Sequence, residues 1–300
     1  MIKELSLYAL LMLMPQIAMG ELYVTVVQGL DGDADYGKQF TIQIEKLMTA
    51  AASVTDKPRI TLFSGTEATR DNILQHFEQL TGTLNTEDRL AVYLIGHGSF
   101  DGFEYKFNIP GPDLTGEDLV SVLQALPAKS QVLVNTSSSS GVLQQLLKSD
   151  TRAVITATRN GEERLATRFG AYFANALEDP AADTNKNKAV SLQEAFDYAS
   201  RMVKDYFEVQ GQLATEHAVM SGEQAGQFVL ARAGAALPQG SDPELVQLVE
   251  RREQLDVSIE QLQLRKAELP IDEYMNQLQQ LMIDLSVVQD MIERKEASSE

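Results

Sequence analysis

The segments VYLIGHGSFDG at 92–102 and VLVNTSSSSG at 132–141 decide the fold class of this chain. Each begins as an apolar run typical of a buried β-strand and ends in small polar residues. Loops that leave the carboxyl ends of neighbouring parallel strands open on the same side of a sheet. The two segments therefore predict an α/β protein that brings His97 and a serine from 137–140 to one crevice.

The same alternation of apolar runs and helix-period segments extends over residues 21–221. The near-continuous apolar runs suit strands buried on both faces of a parallel sheet. They are LYVTVVQ (22–28), RITLF (59–63), LAVYLIG (90–96), QVLVN (131–135) and RAVITAT (152–158). Helical spacing predicts faces formed by Phe40, Ile44, Leu47 and Met48, by Ile73, Phe77 and Leu80, by Leu119, Val122, Leu123 and Leu126, and by Leu165, Phe169 and Phe173. A further helix is expected from Ser191 to about Glu208. We expect a three-layer αβα domain over 21–230 with a mostly parallel sheet.

The first twenty residues have the pattern of a secretory signal peptide. Lys3 precedes an apolar run over 5–14, and the AMG triplet at 18–20 has the small-x-small pattern of a cleavage site. The apolar run is shorter than the ~20 residues that a spanning helix needs, which favours cleavage over a retained anchor. We expect an exported protein, periplasmic or secreted, that begins at Glu21 and has no stable membrane insertion.

The composition of the chain argues against nucleic acids and anionic membranes as partners and excludes disulfides. The chain has 43 acidic and 25 basic residues, a formal net charge of −18, and no cysteine. Nucleic acids and anionic lipid surfaces are unsuited to it, because phosphate binding needs clustered Lys and Arg. Without cysteine there are no disulfides, so the stability of an exported chain has to come from its core.

The last part of the chain, from residue 231, differs from the αβα domain in composition and in the spacing of its apolar residues. Residues 231–242 are rich in Ala, Gly and Pro and predict a linker. Apolar residues at coiled-coil spacing follow in two sets, Leu245, Leu248, Leu255, Ile259 and Leu262, then Tyr274, Leu278, Leu281, Leu285, Val288 and Ile292. Pro270 separates the sets, which predicts an antiparallel helical hairpin over 243–300 that turns at 269–272. Residues 241–300 carry fourteen acids and six bases. Two alternatives stay open: the hairpin packs on its own domain, or it mediates oligomerisation or partner docking.

His97 and the serine tract are the residues that could do chemistry. Gly96 and Gly98 flank His97, which lets the backbone turn sharply and present an N–H to an oxyanion. The alternative is a histidine satisfied at a loop edge, the role we expect for His76, while His217 stays unassigned. For the serines the alternative is a helix N-cap, since a helix starting at about Gly141 is predicted next.

The two motifs together resemble the signature of the caspase and legumain group of cysteine peptidases, clan CD. In that group a strand ending in His-Gly is followed by a strand ending in Cys-x-Ser-Gly. The resemblance covers about 21–221, and aligning the Ser-Gly ending places Ser138 at the position of the nucleophilic cysteine. It implies these roles: His97 and Ser138 as catalytic residues, backbone N–H groups of Gly98 and Ser138 as the oxyanion hole, and Thr136, Thr158 and Arg159 as substrate-pocket candidates.

Two departures from the family pattern change the expected function. Thr136 stands where legumain-like members have an acidic residue, which leaves specificity open. A serine hydroxyl, unlike a cysteine, needs a base in direct hydrogen-bond contact, and this family holds its pair loosely. We therefore expect a degenerate peptidase that binds peptides or a protein partner. The alternatives are an active peptidase or serine hydrolase using Ser138 and His97, and a scaffold acting through the acidic hairpin. Sequence alone allows a natural or an engineered serine here.

The segment DTNKNKAVSLQE at 183–194 spaces its oxygen ligands as a calcium-binding loop does. The candidate ligands are Asp183, Asn185, Asn187 and Glu194, with Ser191 at position nine. Lys188 replaces the glycine that is usual at position six. This obstructs the sharp turn of the loop and brings a positive charge near the expected cation. The alternative is a polar loop leading into a helix capped by Ser191 and Glu194. No other cofactor is expected.

Overall fold

The computed structural model describes residues 20–222, 228–232, 242–264, 266 and 269–299. The strands are β1 Leu22–Gln28, β2 Ile60–Phe63, β3 Arg89–Ile95, β4 Gly98–Phe100, β5 Tyr105–Phe107, β6 Leu114–Thr115, β7 Ser130–Asn135, β8 Arg152–Thr156, β9 Ala189–Ser191, β10 Val219–Ser221 and β11 Val229–Arg232. The helices are α1 Ala34–Ala52, α2 Arg70–Thr83, α3 Gly116–Ala125, α4 Leu143–Leu146, α5 Phe169–Ala176, α6 Leu192–Gln210, α7 Pro243–Leu264 and α8 Ile271–Ser299. The predicted signal peptide, apart from Gly20, and residues 233–241 of the predicted linker lie outside the described residues.

A six-stranded sheet forms the centre of the domain, in the order β10-β8-β7-β3-β1-β2. Its neighbours are parallel except for β10, which pairs antiparallel with β8 at one edge. Strands β3 and β7 are adjacent, and their register sets Leu94 opposite Asn135. The mostly parallel sheet predicted from the apolar runs is confirmed.

Each face of this sheet is covered by its own apolar core, because alternate residues of every central strand point to opposite sides. One core joins strand residues such as Val26, Tyr93 and Val134 to α1, α5 and α6. The other joins residues such as Val92 and Leu133 to α2, α3 and α4. The predicted αβα layering is therefore confirmed.

Smaller elements that the sequence did not predict surround the sheet. Strands β4, β5 and β6 form an antiparallel meander directly after His97, and β9 pairs with β11. Strand β11 continues to Arg232 and so includes the first two residues of the predicted linker. Leu165 was expected on a helix, but α5 begins only at Phe169 and the Leu165 side chain is exposed.

The C-terminal helices α7 and α8 form the predicted hairpin. Its seam buries residues from both heptad sets, among them Leu255, Ile259, Tyr274 and Ile292. Arg252 donates a hydrogen bond from Nη2 to the Asn187 carbonyl, 3.3 Å away, which links the hairpin to the domain. Within the described part of the chain, no helix has both the length and the apolar character to span a membrane.

The start of α3 is fixed by a capping box and an ion pair. Thr115 Oγ1 accepts from the Asp118 N–H, and the Asp118 carboxylate accepts from the Thr115 N–H. The same carboxylate accepts two hydrogen bonds, at 2.8 and 2.6 Å, from the guanidinium of Arg70 on α2. Burial raises the pKa of Asp118, but the hydrogen bonds from Arg70 and Thr115 outweigh it and leave that pKa below its ordinary value.

We predict that Asp118→Asn lowers the free energy of unfolding by about 1–3 kcal/mol at pH 7, because it removes the charge of the ion pair and replaces one of the two oxygens that accept from Arg70 and Thr115. The folded pKa of Asp118 is depressed, so this contribution is complete above about pH 5 and is lost as pH falls through the folded pKa. Urea unfolding at pH 7 and pH 3 measures it. The exposed neighbour Glu117→Gln is the control, and an equal loss in both variants, or an unchanged difference at pH 3, contradicts the prediction.

Candidate functional site

The ends of β3 and β7 meet at the carboxyl edge of the sheet, as the sequence predicts. The Thr136 N–H donates to the Leu94 carbonyl at 3.0 Å, so the two polar motifs leave the sheet side by side. Gly98 allows the serine tract to come close: a Cβ atom added there would lie 2.4 Å from Ser137 Oγ and 2.8 Å from the Ser138 carbonyl oxygen. A residue with a side chain at 98 would therefore push the two motifs apart.

His97 is held against the loop that follows β1. Its Nε2 lies 3.1 Å from the backbone carbonyl oxygen of Asp31. A carbonyl can only accept, so Nε2 is the donor in this contact, which leaves Nδ1 as the ring nitrogen available to another partner. The imidazole also stands edge-on to Tyr36 and Phe40, with ring centroids 4.7 and 5.2 Å away. The ring is thus oriented by packing and one hydrogen bond.

Ser137 belongs to a buried chain of polar groups. The Asn135 Nδ2 donates to the Tyr105 hydroxyl at 2.7 Å, and that hydroxyl lies 2.7 Å from Ser137 Oγ. Burial raises the pKa of Tyr105 to about 12, so the phenol stays protonated and donates to Ser137. Ser137 Oγ in turn donates to the Ser138 carbonyl at 3.1 Å. These bonds hold Ser137 in a structural role.

Ser138 is almost buried and its hydroxyl is already bonded. Its Oγ donates to the Gly98 carbonyl oxygen at 2.9 Å. Among the hydrogen bonds of the described residues, none joins Ser138 to His97. The motifs are brought together as predicted, but the hydroxyl proton is directed at a carbonyl and not at a base.

The end of the serine tract is strained and tightly packed. Ser139 has a φ of +57°, in the left-handed region, and its buried Oγ has no hydrogen-bond partner among the described residues. Ser140 begins a 3₁₀ turn that continues into the four-residue α4, so the helix predicted after the serines is short. Gly141 is needed here because an added Cβ would lie 2.1 Å from the Asn160 backbone nitrogen.

The three substrate-pocket candidates differ in exposure. Thr136 is buried, and its hydroxyl donates to the Leu94 carbonyl at 3.1 Å. Thr158 is also buried, and its hydroxyl accepts from the Gly141 N–H at 2.9 Å. Arg159 alone has an exposed side chain, which forms an ion pair with Glu163 at 3.0 Å. Only Arg159 can reach a ligand without breaking a buried contact.

Glu163 is a connecting residue that the sequence reasoning missed. Its carboxylate lies 2.6 Å from His217 Nδ1, and its backbone carbonyl accepts the Ser139 N–H at 2.9 Å. The sequence does not point to the pair of Glu163 and His217, because the two residues are 54 positions apart. The other histidine, His76, is a packing residue as expected, with Nε2 2.9 Å from Thr25 Oγ1, and burial lowers its pKa.

A cavity of about 320 Å³ adjoins the two motifs. It is lined by Asp33, Asp35, Tyr36, Gln39, Ala166, Thr167 and Arg168. Tyr36 contacts His97 and the Thr167 hydroxyl donates to the Thr136 carbonyl, so the cavity between the start of α1 and residues 166–168 lies next to both motifs. A larger cavity of about 410 Å³ lies between α6 and residues 212–218, and neither His97 nor Ser138 lines it.

The predicted calcium loop forms a compact turn before α6. Asp183 accepts the N–H groups of Asn187 and Lys188, and Glu194 accepts those of Thr184, Asn185 and Ser191. Lys188 has a φ of +66°, the left-handed conformation that glycine supplies at position six of calcium loops. The capping box of Ser191 and Glu194, the alternative reading of this segment, is present.

The charge of this loop disfavours a divalent cation. Lys186 and Lys188 offset the charges of Asp183 and Glu194, while calcium affinity rises with the number of anionic ligands. No group of three His, Cys, Asp or Glu side chains placed to hold a metal ion occurs in the part of the chain that the structure describes. Calcium binding by Asp183, Asn185, Asn187 and Glu194 stays untested, and the charge of the loop favours the alternative of a capped polar loop.

Comparison with known proteins gives one family match. The model of the peptidase C13 family matches residues 64–226, more than half of the chain, and this span includes both motifs. Among solved structures, the chain is similar to a protein from Geobacter sulfurreducens at 11% identity and a TM-score of 0.46, over 71% of this chain and 97% of that one. The search of curated proteins gives no match.

We predict that Tyr105→Phe lowers the free energy of unfolding by about 1–3 kcal/mol, because it leaves the Asn135 amide and the Ser137 hydroxyl without their buried partner. Urea unfolding followed by circular dichroism measures the loss. Tyr93→Phe is the control, since Tyr93 is also buried but its hydroxyl makes no hydrogen bond to another described residue. Equal effects of the two substitutions would contradict the role given to Tyr105.

We predict that about 5 mM calcium chloride leaves the melting temperature within about 1 °C of its value in magnesium chloride. A loop with a Kd of about 10⁻⁴ M would instead add about 2 kcal/mol of stability at that concentration. Differential scanning calorimetry distinguishes the two cases. A calcium-specific rise that Asn185→Ala removes would establish the loop as a calcium site, because Asn185 is no part of the capping box.

Proposed function

Because the chain belongs to the peptidase C13 family, we propose that it is an exported, degenerate member of that family. It binds a peptide or a protein partner in the crevice between His97 and Ser138, without efficient cleavage. The observation that carries this proposal is the hydrogen bond from Ser138 Oγ to the Gly98 carbonyl oxygen, in a chain that has no cysteine.

The chemistry of the nucleophile supports loss of activity. A cysteine at 138 would be partly ionised near neutral pH and would attack as a thiolate, but a serine needs its proton removed during the attack. His97 could remove that proton only from direct hydrogen-bond contact, and its ring is engaged by Asp31 in the loop after β1 and by Tyr36 and Phe40 on α1. The pair therefore lacks the orientation that a serine nucleophile requires.

The surrounding crevice retains features that suit peptide binding. Gly98 brings the backbone of the histidine loop against the serine tract, where N–H groups of Gly98 and Ser138 are the proposed oxyanion donors. The adjoining cavity has a polar lining, with Asp33, Asp35 and Gln39 on one side and Thr167 and Arg168 on the other. A polar side chain that both donates and accepts hydrogen bonds, such as a carboxamide, fits this mixed lining.

The test restores the family nucleophile and asks whether the rest of the site survives. We predict that wild-type protein binds members of a mixed peptide library without cleaving them, and that Ser138→Cys cleaves a subset of those peptides at least about 10²-fold faster than wild type. Mass spectrometry of the digested library measures cleavage and identifies the residue before the cut.

Two variants control this experiment. Ser138→Cys combined with His97→Ala should lose the gained activity, since no imidazole then protonates the leaving amine. Ser137→Cys should gain nothing, because that side chain is buried against Tyr105. If the wild-type protein cleaves peptides and Ser138→Ala abolishes that cleavage, the protein is an active serine hydrolase and the proposal is wrong. If only Ser137→Cys gains cleavage, the nucleophile position is 137 and not 138.

A further inference from the structure

Helix α8 exposes five large apolar side chains outside its seam with α7, which together we call the outer stripe. They are Ile271, Met275, Met282, Ile283 and Val287, each between 49% and 63% exposed. On soluble helices, apolar residues this exposed are expected singly and not as a row of neighbours. The outer stripe is therefore a surface that the hairpin itself does not cover.

The outer stripe is separate from the seam that joins α8 to α7. The seam uses Tyr274, Leu281, Val288 and Ile292, which are buried or half-buried. With 3.6 residues per turn, Met275 and Met282 lie beside that seam, and Ile283 and Val287 lie further round, one turn apart. The hairpin thus buries the apolar residues of its seam and leaves those of the outer stripe exposed to solvent.

Charge around the outer stripe is mainly acidic, with Lys266 and Arg294 as basic residues at its two ends. From Ile271 to Glu293 the helix carries five acidic residues and no Lys or Arg. The exposed members Asp272, Glu273, Asp290 and Glu293 lie in the same turns as the apolar side chains. Exposed apolar side chains with mainly acidic flanks are complementary to a helix that has an apolar face and basic flanks.

We propose that the outer stripe docks an amphipathic helix of another protein, whose polar flanks carry Lys and Arg. Met275 and Met282 suit this role, because their flexible thioether side chains adapt to the shape of an incoming apolar face. A second copy of this chain is disfavoured as the occupant, because it would set two acidic faces against each other. Anionic membrane surfaces are repelled for the same reason.

This surface is independent of the crevice at His97 and Ser138, so its test does not depend on the proposed function. The probe is a fluorescein-labelled peptide composed only of Leu and Lys at helical amphipathic spacing, followed by fluorescence anisotropy with full-length protein. A peptide of the same composition with scrambled order and a Leu/Glu peptide are the controls. We expect binding of the helical Leu/Lys peptide alone, weakened but not abolished by high salt.

Variants of the protein identify the contact surface. Met275→Gln, Met282→Gln and Ile283→Gln combined should weaken binding at least tenfold while preserving helix content, since Gln favours helices. The matched control replaces two exposed apolar residues of the domain, Val209→Gln and Leu213→Gln, and should leave binding unchanged. Asp272→Asn, Glu273→Gln and Asp290→Asn combined should weaken binding at low salt through charge alone.

Several outcomes would overturn the proposal. Equal binding of the scrambled peptide, or an unchanged affinity of the Met275, Met282 and Ile283 variant, would reduce the effect to unspecific attraction of charge. Failure of the helical Leu/Lys peptide to bind would remove it altogether. If the protein alone sediments as a dimer and this triple variant sediments as a monomer, the outer stripe binds a second copy of the chain instead.

Discussion

The structure of the crevice depends on the parallel pairing of β3 with β7. Their register sets Leu94 opposite Asn135, so the chain segments that follow these two residues leave the sheet side by side. Gly98 then permits contact between the two segments, since no side chain stands between its backbone and Ser137. Every polar contact among residues 97–98, 105 and 135–138 follows from this approach of two backbones.

Within this arrangement the serine tract works as a hydrogen-bonded network. Hydrogen bonds run in a chain from the Asn135 amide to the Tyr105 hydroxyl, from there to Ser137 Oγ, and from Ser137 Oγ to the Ser138 carbonyl. Ser138 Oγ donates to the Gly98 carbonyl. Buried hydroxyls need such partners, and satisfied ones stabilise a single conformation. A hydroxyl bonded in this way is a poor nucleophile, so the contacts that order the crevice also oppose catalysis by serine.

The sequence predicted what depends on local pattern and missed what depends on distant contacts. Long apolar runs gave the five parallel strands, and heptad spacing gave the hairpin. The meander after His97 was missed because β4, β5 and β6 are too short for a periodic pattern. Leu165 was placed on a helix because nothing nearby stops the pattern. The first turn of α5 is capped instead by the buried Glu216, far along the chain, which accepts from the Arg168 and Phe169 N–H groups.

For the candidate site, the positions of His97 and Ser138 followed from the sequence, but their states did not. Whether a hydroxyl faces a base or a carbonyl is set by angles that no spacing of residues encodes. The same limit applied to Thr136 and Thr158, whose hydroxyls turn inward to backbone groups. A crevice in which Ser138 is bonded to a carbonyl agrees with the proposed binding without turnover, because peptide recognition depends on the residues that line the crevice and cleavage depends on a proton transfer from the hydroxyl.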